Sequence, residues 1–138
     1  MKNKLQCILL IDDDTDDNFF HKMVIDEMNI TKNVEVTLSS FEALDFLKKE
    51  KQTQPELIFL DINMPKMNGW EFLEEHSKLS EEQKAKVIII MLSSPKDSDD
   101  IKRAAGFPET IDFNYKPLTE KSMIKILEQY FPENVVEL

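Results

Sequence analysis

The stretch LIFLDINMPKMNGWEF, residues 57–72, decides the architecture. Four apolar residues, Leu57 to Leu60, run without alternation into one acid, Asp61, and then into Pro65 and Asn68-Gly69. An unbroken apolar run of this length, bounded by turn residues, reads as a strand buried on both faces. Outward in both directions the pattern repeats. Upstream, residues 5–11 (LQCILLI) are apolar and stop at Asp12-Asp13; downstream, Val87 to Leu92 are apolar and stop at Ser93-Ser94. Val34 to Leu38 and Ile111 to Tyr115 alternate instead, as strands with one protected face do.

Helical spacing fills the gaps. Residues 15–29 carry Phe19, Phe20, Met23, Val24 and Met28; Phe41, Ala43, Leu44 and Leu47 follow; then come WEFLEEH at 70–76, a polar helix over about 97–106, and a helix over 119–131 with Met123, Ile124, Ile126, Leu127, Tyr130 and Phe131. The count is (βα)₅, which predicts an α/β fold with a parallel sheet covered by helices on both faces. Continuous strands belong in the centre and alternating ones at the edges. The expected order is therefore the flavodoxin-like 2-1-3-4-5.

Composition narrows the function. The chain has 138 residues, which suits one domain, 1–138, with a core over about 5–131. Its net charge of −10 disfavours a sequence-independent grip on nucleic acid. No apolar run approaches the ~18 residues of a membrane span, and the N-terminus lacks the pattern of a secretory signal. A single cysteine, Cys7, has no internal partner for a disulfide, and a cytoplasmic setting is expected. No glycine-rich phosphate loop is present, so nucleotide hydrolysis has no foothold.

In open α/β sheets the site lies beyond the carboxyl ends of the strands. With the order above, Asp12, Asp13, Asp61, Ser93 and Lys116 should converge there. Two carboxylates ~4 Å apart repel by roughly 4 kcal/mol at an effective dielectric of ~20. A hard divalent cation such as Mg²⁺, which takes oxygen ligands and bridges carboxylates to phosphate, relieves that repulsion. Lys116 adds a second positive charge, and the Ser93 hydroxyl can donate to a phosphoryl oxygen. Such an assembly suits phosphoryl transfer onto a carboxylate.

The segments ILLIDDD, LIFLDINMPKMNGWEF, VIIIMLSS and NYKPL together resemble the signature blocks of response regulator receiver domains of two-component signalling, in family order and spacing. The resemblance implies Asp61 as phosphoacceptor, Asp13 and Asp61 as direct Mg²⁺ ligands with the Asn63 backbone carbonyl, and Asp12 acting largely through metal-bound water. It implies Ser93 at the switch hydroxyl position, Lys116 at the lysine position and Phe113 at the switch aromatic position. Lys116–Pro117 is a candidate cis bond. The implied partners are a sensor histidine kinase or histidine phosphotransfer protein, and a downstream protein. The implied readout face joins the helix over 97–106, the strand at 111–115 and the helix over 119–131, and that face is also compatible with a homodimer. The sequence ends after its fifth helix, so a stand-alone, chemotaxis-regulator-like receiver is expected, one that catalyses only its own phosphorylation and dephosphorylation. Its output is then protein binding or a phosphorelay step. Two departures stand out. Pro95 falls where the family often carries a polar side chain two beyond the switch hydroxyl, and the link from Gly106 to Phe113 is about three residues longer than is common.

Blander assignments accompany these. Asp14 is a plausible helix N-cap, and Asp16-Asp17 suit the positive end of a helix dipole. Asp12-x-Asp14-x-Asp16 lacks the glycine and the glutamate of a calcium loop. His21 and His76 are read as solvated, Cys7 as a core residue, Trp70 as partly buried packing and the helix over 97–106, with few apolar anchors, as the loosest element. A haloacid-dehalogenase-type Mg²⁺-dependent phosphohydrolase is the alternative, disfavoured because Thr15 stands one place early and no cap-sized insertion is present.

Overall fold

The computed structural model describes residues 4–49, 54–84, 87–93 and 111–134. The helix expected over 97–106, Ser94, Pro95 and the start of the link to Phe113 lie outside these residues. The described chain runs β1 (Ile8–Ile11), α1 (Thr15–Met28), β2 (Val34–Thr37), α2 (Ser40–Lys48), β3 (Leu57–Asp61), α3 (Gly69–Ser77), a one-turn α4 (Glu81–Lys84), β4 (Ile88–Ser93), β5 (Ile111–Tyr115) and α5 (Glu120–Tyr130). A 3₁₀ turn, Pro132–Asn134, follows.

The five strands form one parallel sheet in the order β2-β1-β3-β4-β5. Burial explains that order. β1 and β3 are buried at every position and β4 at all but its first, whereas β2 and β5 are mostly half-buried. Alternate residues of the central strands point to opposite faces. Leu9, Ile11, Ile58, Leu60, Ile89 and Met91 pack with α2 and α3 through Leu44, Leu47, Phe72 and Leu73. Ile8, Leu10, Leu57, Phe59, Ile90 and Leu92 pack with α1 and α5 through Ile25, Met28, Met123 and Leu127.

Helix starts follow their capping chemistry. Asp14 accepts from the Asp16 and Asp17 amides and opens α1. Ser39 caps α2, and Asn68 with Glu71 forms a capping box on α3. Asn29 ends α1 in the left-handed region at φ 54°, where asparagine is tolerated better than most residues.

The buried stripe of α1 differs from the apolar spacing read above. Its buried residues are Asn18, His21, Ile25 and Met28, while Phe19 is 73% exposed and Phe20 and Met23 are 40% exposed. The helix turns its polar Asn18 and His21 inward, where the Asn18 amide nitrogen and His21 Nε2 find hydrogen-bond partners that offset part of the cost of burying them, while Asn18 Oδ1 stays buried without a partner among the described residues. His21 is thus buried rather than solvated. His76 is buried too, stacked against Phe72, and Trp70 is buried more fully than expected.

Candidate functional site

The clustered acids Asp12, Asp13 and Asp61 are delivered by the ends of buried strands. Asp12 follows β1 and Asp61 is the last residue of β3; both are buried, whereas Asp13 faces solvent. Carboxylate oxygens of Asp12, Asp13 and Asp61 lie within 4.8 Å of one another. Asp12 is held on both oxygens, one accepting the Asp14 amide at 3.0 Å and the other the Lys116 ammonium at 2.8 Å.

Lys116 enters from the loop after β5. Its backbone N–H donates to the Ser93 carbonyl at 2.8 Å, and the Lys116–Pro117 bond is cis. Its Nζ reaches Asp12 and Asp17 at 2.8 Å each and Asp61 at 3.2 Å. Burial opposes the charged ammonium. The hydrogen bonds to Asp12 and Asp17, with the charge of Asp61, outweigh that and hold its pKa above the usual lysine value.

Asp61 experiences the opposite balance. Burial, then the charge of Asp12, raise its pKa to about 6, and Lys116 only partly offsets them. The two directions are compatible because one ammonium is divided among three carboxylates. The lysine gains from all three, while Asp61 receives a share and still faces its neighbours. Three hard oxygen donors with too little positive charge among them fit a hard divalent cation such as Mg²⁺.

Ser93 ends β4, is buried and pairs in register with Tyr115. Asn63 lies exposed in the loop leaving β3. Phe113 sits half-buried in β5, packed against the α2–α3 side of the core and edge-on to the Tyr115 ring. In the Asp61 loop, Lys66 takes φ 67°, an uncommon conformation for a side chain-bearing residue. The loop closes on Gly69, whose N–H donates to the Ile62 carbonyl at 2.8 Å; a Cβ there would stand 2.9 Å from the Asp61 carbonyl oxygen and the Ile62 Cα.

Three contributors went unread in the sequence. Asp17, assigned to the helix dipole, is an ion-pair partner of Lys116. Asn18 donates to the Asp12 carbonyl at 2.8 Å, and His21 accepts the Leu118 amide at 3.3 Å. The 18, 21, 25, 28 spacing, continued by buried Ile25 and Met28, was the available signal.

A family model for the response regulator receiver domain matches residues 8–128. The chain belongs to this family. The receiver domain is 32% identical over 130 residues to a probable C4-dicarboxylate response regulator, DctR, of Bacillus subtilis, covering 94% of this chain but 54% of that one. It is 28% identical to the chemotaxis protein CheY of Listeria monocytogenes over 116 residues, covering 83% and 92%. A two-component response regulator structure from Cytophaga hutchinsonii superposes with a TM-score of 0.83 at 28% identity, covering 92% and 97%. The receiver domain therefore spans about half the length of DctR and nearly all of CheY. No helix among the described residues is long and apolar enough to cross a membrane.

Proposed function

We propose that the receiver domain accepts a phosphoryl group on Asp61 from the phosphohistidine of a sensor kinase or phosphotransfer protein. The observation that carries this reading is the Lys116 ammonium held within 3.2 Å of a buried Asp61 carboxylate beside Asp12 and Asp13. With its pKa raised only to about 6, Asp61 is mostly ionised at pH 7, as a nucleophile must be. An Asp61 oxygen forms the new bond to phosphorus as the phosphorus–nitrogen bond to the imidazole breaks. Lys116 then lies where it can meet the added negative charge, and Ser93, which follows the Asp61 partner Leu92 on the adjacent strand, would supply a hydroxyl.

Asp12, Asp13 and Asp61, with the Asn63 carbonyl, would hold Mg²⁺, which when bound supplies the charge neutralisation that brings carboxylate and phosphoryl oxygens together. Burial of Asp12 and Asp61 limits the screening of their charges by water, so positioning and electrostatics would account for most of the rate. Rearrangement of Ser93, Lys116 and Phe113 around the phosphoryl group would bias the face that includes β5 and α5 toward a downstream protein.

Intact mass spectrometry after incubation with acetyl phosphate and Mg²⁺ tests the reading. Wild type should gain one phosphoryl mass and Asp61→Asn none. A wild type that gains no mass under conditions preserving acyl phosphates would overturn it.

A further inference from the structure

We propose that His21 is a positioning residue for Lys116, acting through the backbone N–H of Leu118. The consequence for phosphorylation rests on the reading of Asp61 as acceptor; the positional claim stands on geometry alone. The segment Lys116-Pro117-Leu118 has two backbone donors, since proline has none. One, from Lys116, goes to the Ser93 carbonyl on β4. The other, from Leu118, goes to His21 Nε2 on α1, 97 positions away in sequence, at 3.3 Å. The Leu118 side chain is fully buried in the α1–α5 side of the core. The lysine's backbone is thus pinned from both sides, to the strand on one and to the helix on the other.

Packing alone does not account for an imidazole here. His21 is 2% exposed and sits in a stripe continued by Ile25 and Met28, where an aliphatic side chain would bury more cheaply. What a leucine could not do is accept the Leu118 amide. The neutral ring protonated at Nδ1 presents Nε2 as that acceptor. Burial, then the positive charge of Lys116, lower the His21 pKa and favour this neutral form. The same face of α1 supplies Asp17 to the Lys116 ammonium and Asn18 to the Asp12 carbonyl. α1 therefore sets the register between the strand-one acids and the lysine.

His21→Leu and His21→Gln separate positioning from packing, because glutamine restores an acceptor oxygen near the place of Nε2. The measurements are hydrogen exchange of the Leu118 amide, the NMR signal of the Lys116 ammonium, Mg²⁺ affinity by calorimetry and the acetyl phosphate phosphorylation rate. His21→Leu should speed Leu118 exchange and weaken the ordered ammonium signal. It should slow phosphorylation by about tenfold or more, as small misplacements at reacting centres do, with Mg²⁺ affinity unchanged. His21→Gln should recover most of each loss. A His21→Leu protein that keeps the wild-type Leu118 protection and ammonium signal would overturn the inference, as would Mg²⁺ affinity falling in step with rate, or a failure of glutamine to rescue. A wild type that takes no phosphoryl group would defeat the proposed function instead; the two NMR measurements would still decide the role of His21.

Discussion

Asp61→Asn should stabilise the metal-free protein. A carboxyl whose pKa is raised by folding binds its proton more tightly in the folded state. Between the ordinary value of 3.8 and the folded value of about 6, the folded chain therefore holds the extra proton, and stability falls as pH rises through that window. The loss accumulates above pH 3.8 and levels off above about pH 6. By the linkage relation it amounts to roughly 1 kcal/mol at pH 4.5 and roughly 3 kcal/mol at pH 7.5. Asparagine keeps the shape, accepts the Lys116 ammonium and removes the titration. Urea unfolding in a chelating buffer, comparing variant with wild type at each pH, isolates this contribution from every other titrating group. The stability difference should grow by roughly 2 kcal/mol between pH 4.5 and 7.5, in favour of the variant. Mg²⁺ should narrow it by stabilising wild type, by about 1.4 kcal/mol at ten times the dissociation constant. A difference that does not change with pH, or that favours wild type at pH 7.5, would refute the charge balance derived for the site.

Other outcomes follow from the same geometry. Burial, then the charge of Lys84, hold the His76 pKa down to about 4. The unfolded chain binds the extra proton between pH 6.5 and 4, so this contribution is complete above pH 6.5 and lost as pH falls, by roughly 3 kcal/mol. His76→Phe should remove that slope in the same urea experiment. Gly69→Ala drives a Cβ to 2.9 Å from the Asp61 carbonyl and the Ile62 Cα, both backbone atoms. It should cost roughly 1–3 kcal/mol in urea unfolding and slow acetyl phosphate phosphorylation by displacing the acceptor. Asp17→Asn removes one of three carboxylates on Lys116. It should speed phosphorylation by anionic donors severalfold in stopped-flow assays, at a stability cost of no more than about 1 kcal/mol, since Asp17 is partly exposed.

Much of the molecule is written in local pattern. Leu57 to Leu60 and Val87 to Leu92 are continuously apolar because their strands are covered on both faces, and β2 and β5 alternate because they stand at the edges. That contrast puts β2 and β5 at the edges, and the flavodoxin-like order it matches brings Asp12, Asp13, Asp61, Ser93 and Lys116 to one end of the sheet. Asp14 announces the start of α1 through its side-chain oxygen, and Asn68 that of α3. Tertiary structure decided the rest. The rotation of α1 was invisible in its composition, since Phe19 and Phe20 look like core residues and Asn18 and His21 like surface ones. Their burial depends on the Asp12 carbonyl and the Leu118 amide, which the chain supplies from other elements. Asp17 differs from Asp16 only through Lys116, 99 positions away. The Asp61 pKa likewise depends on how one ammonium is shared among three acids. Periodicity reports which face of an element avoids water; it carries no record of which distant polar group waits beneath that face, and at this site those pairings set the position of the lysine.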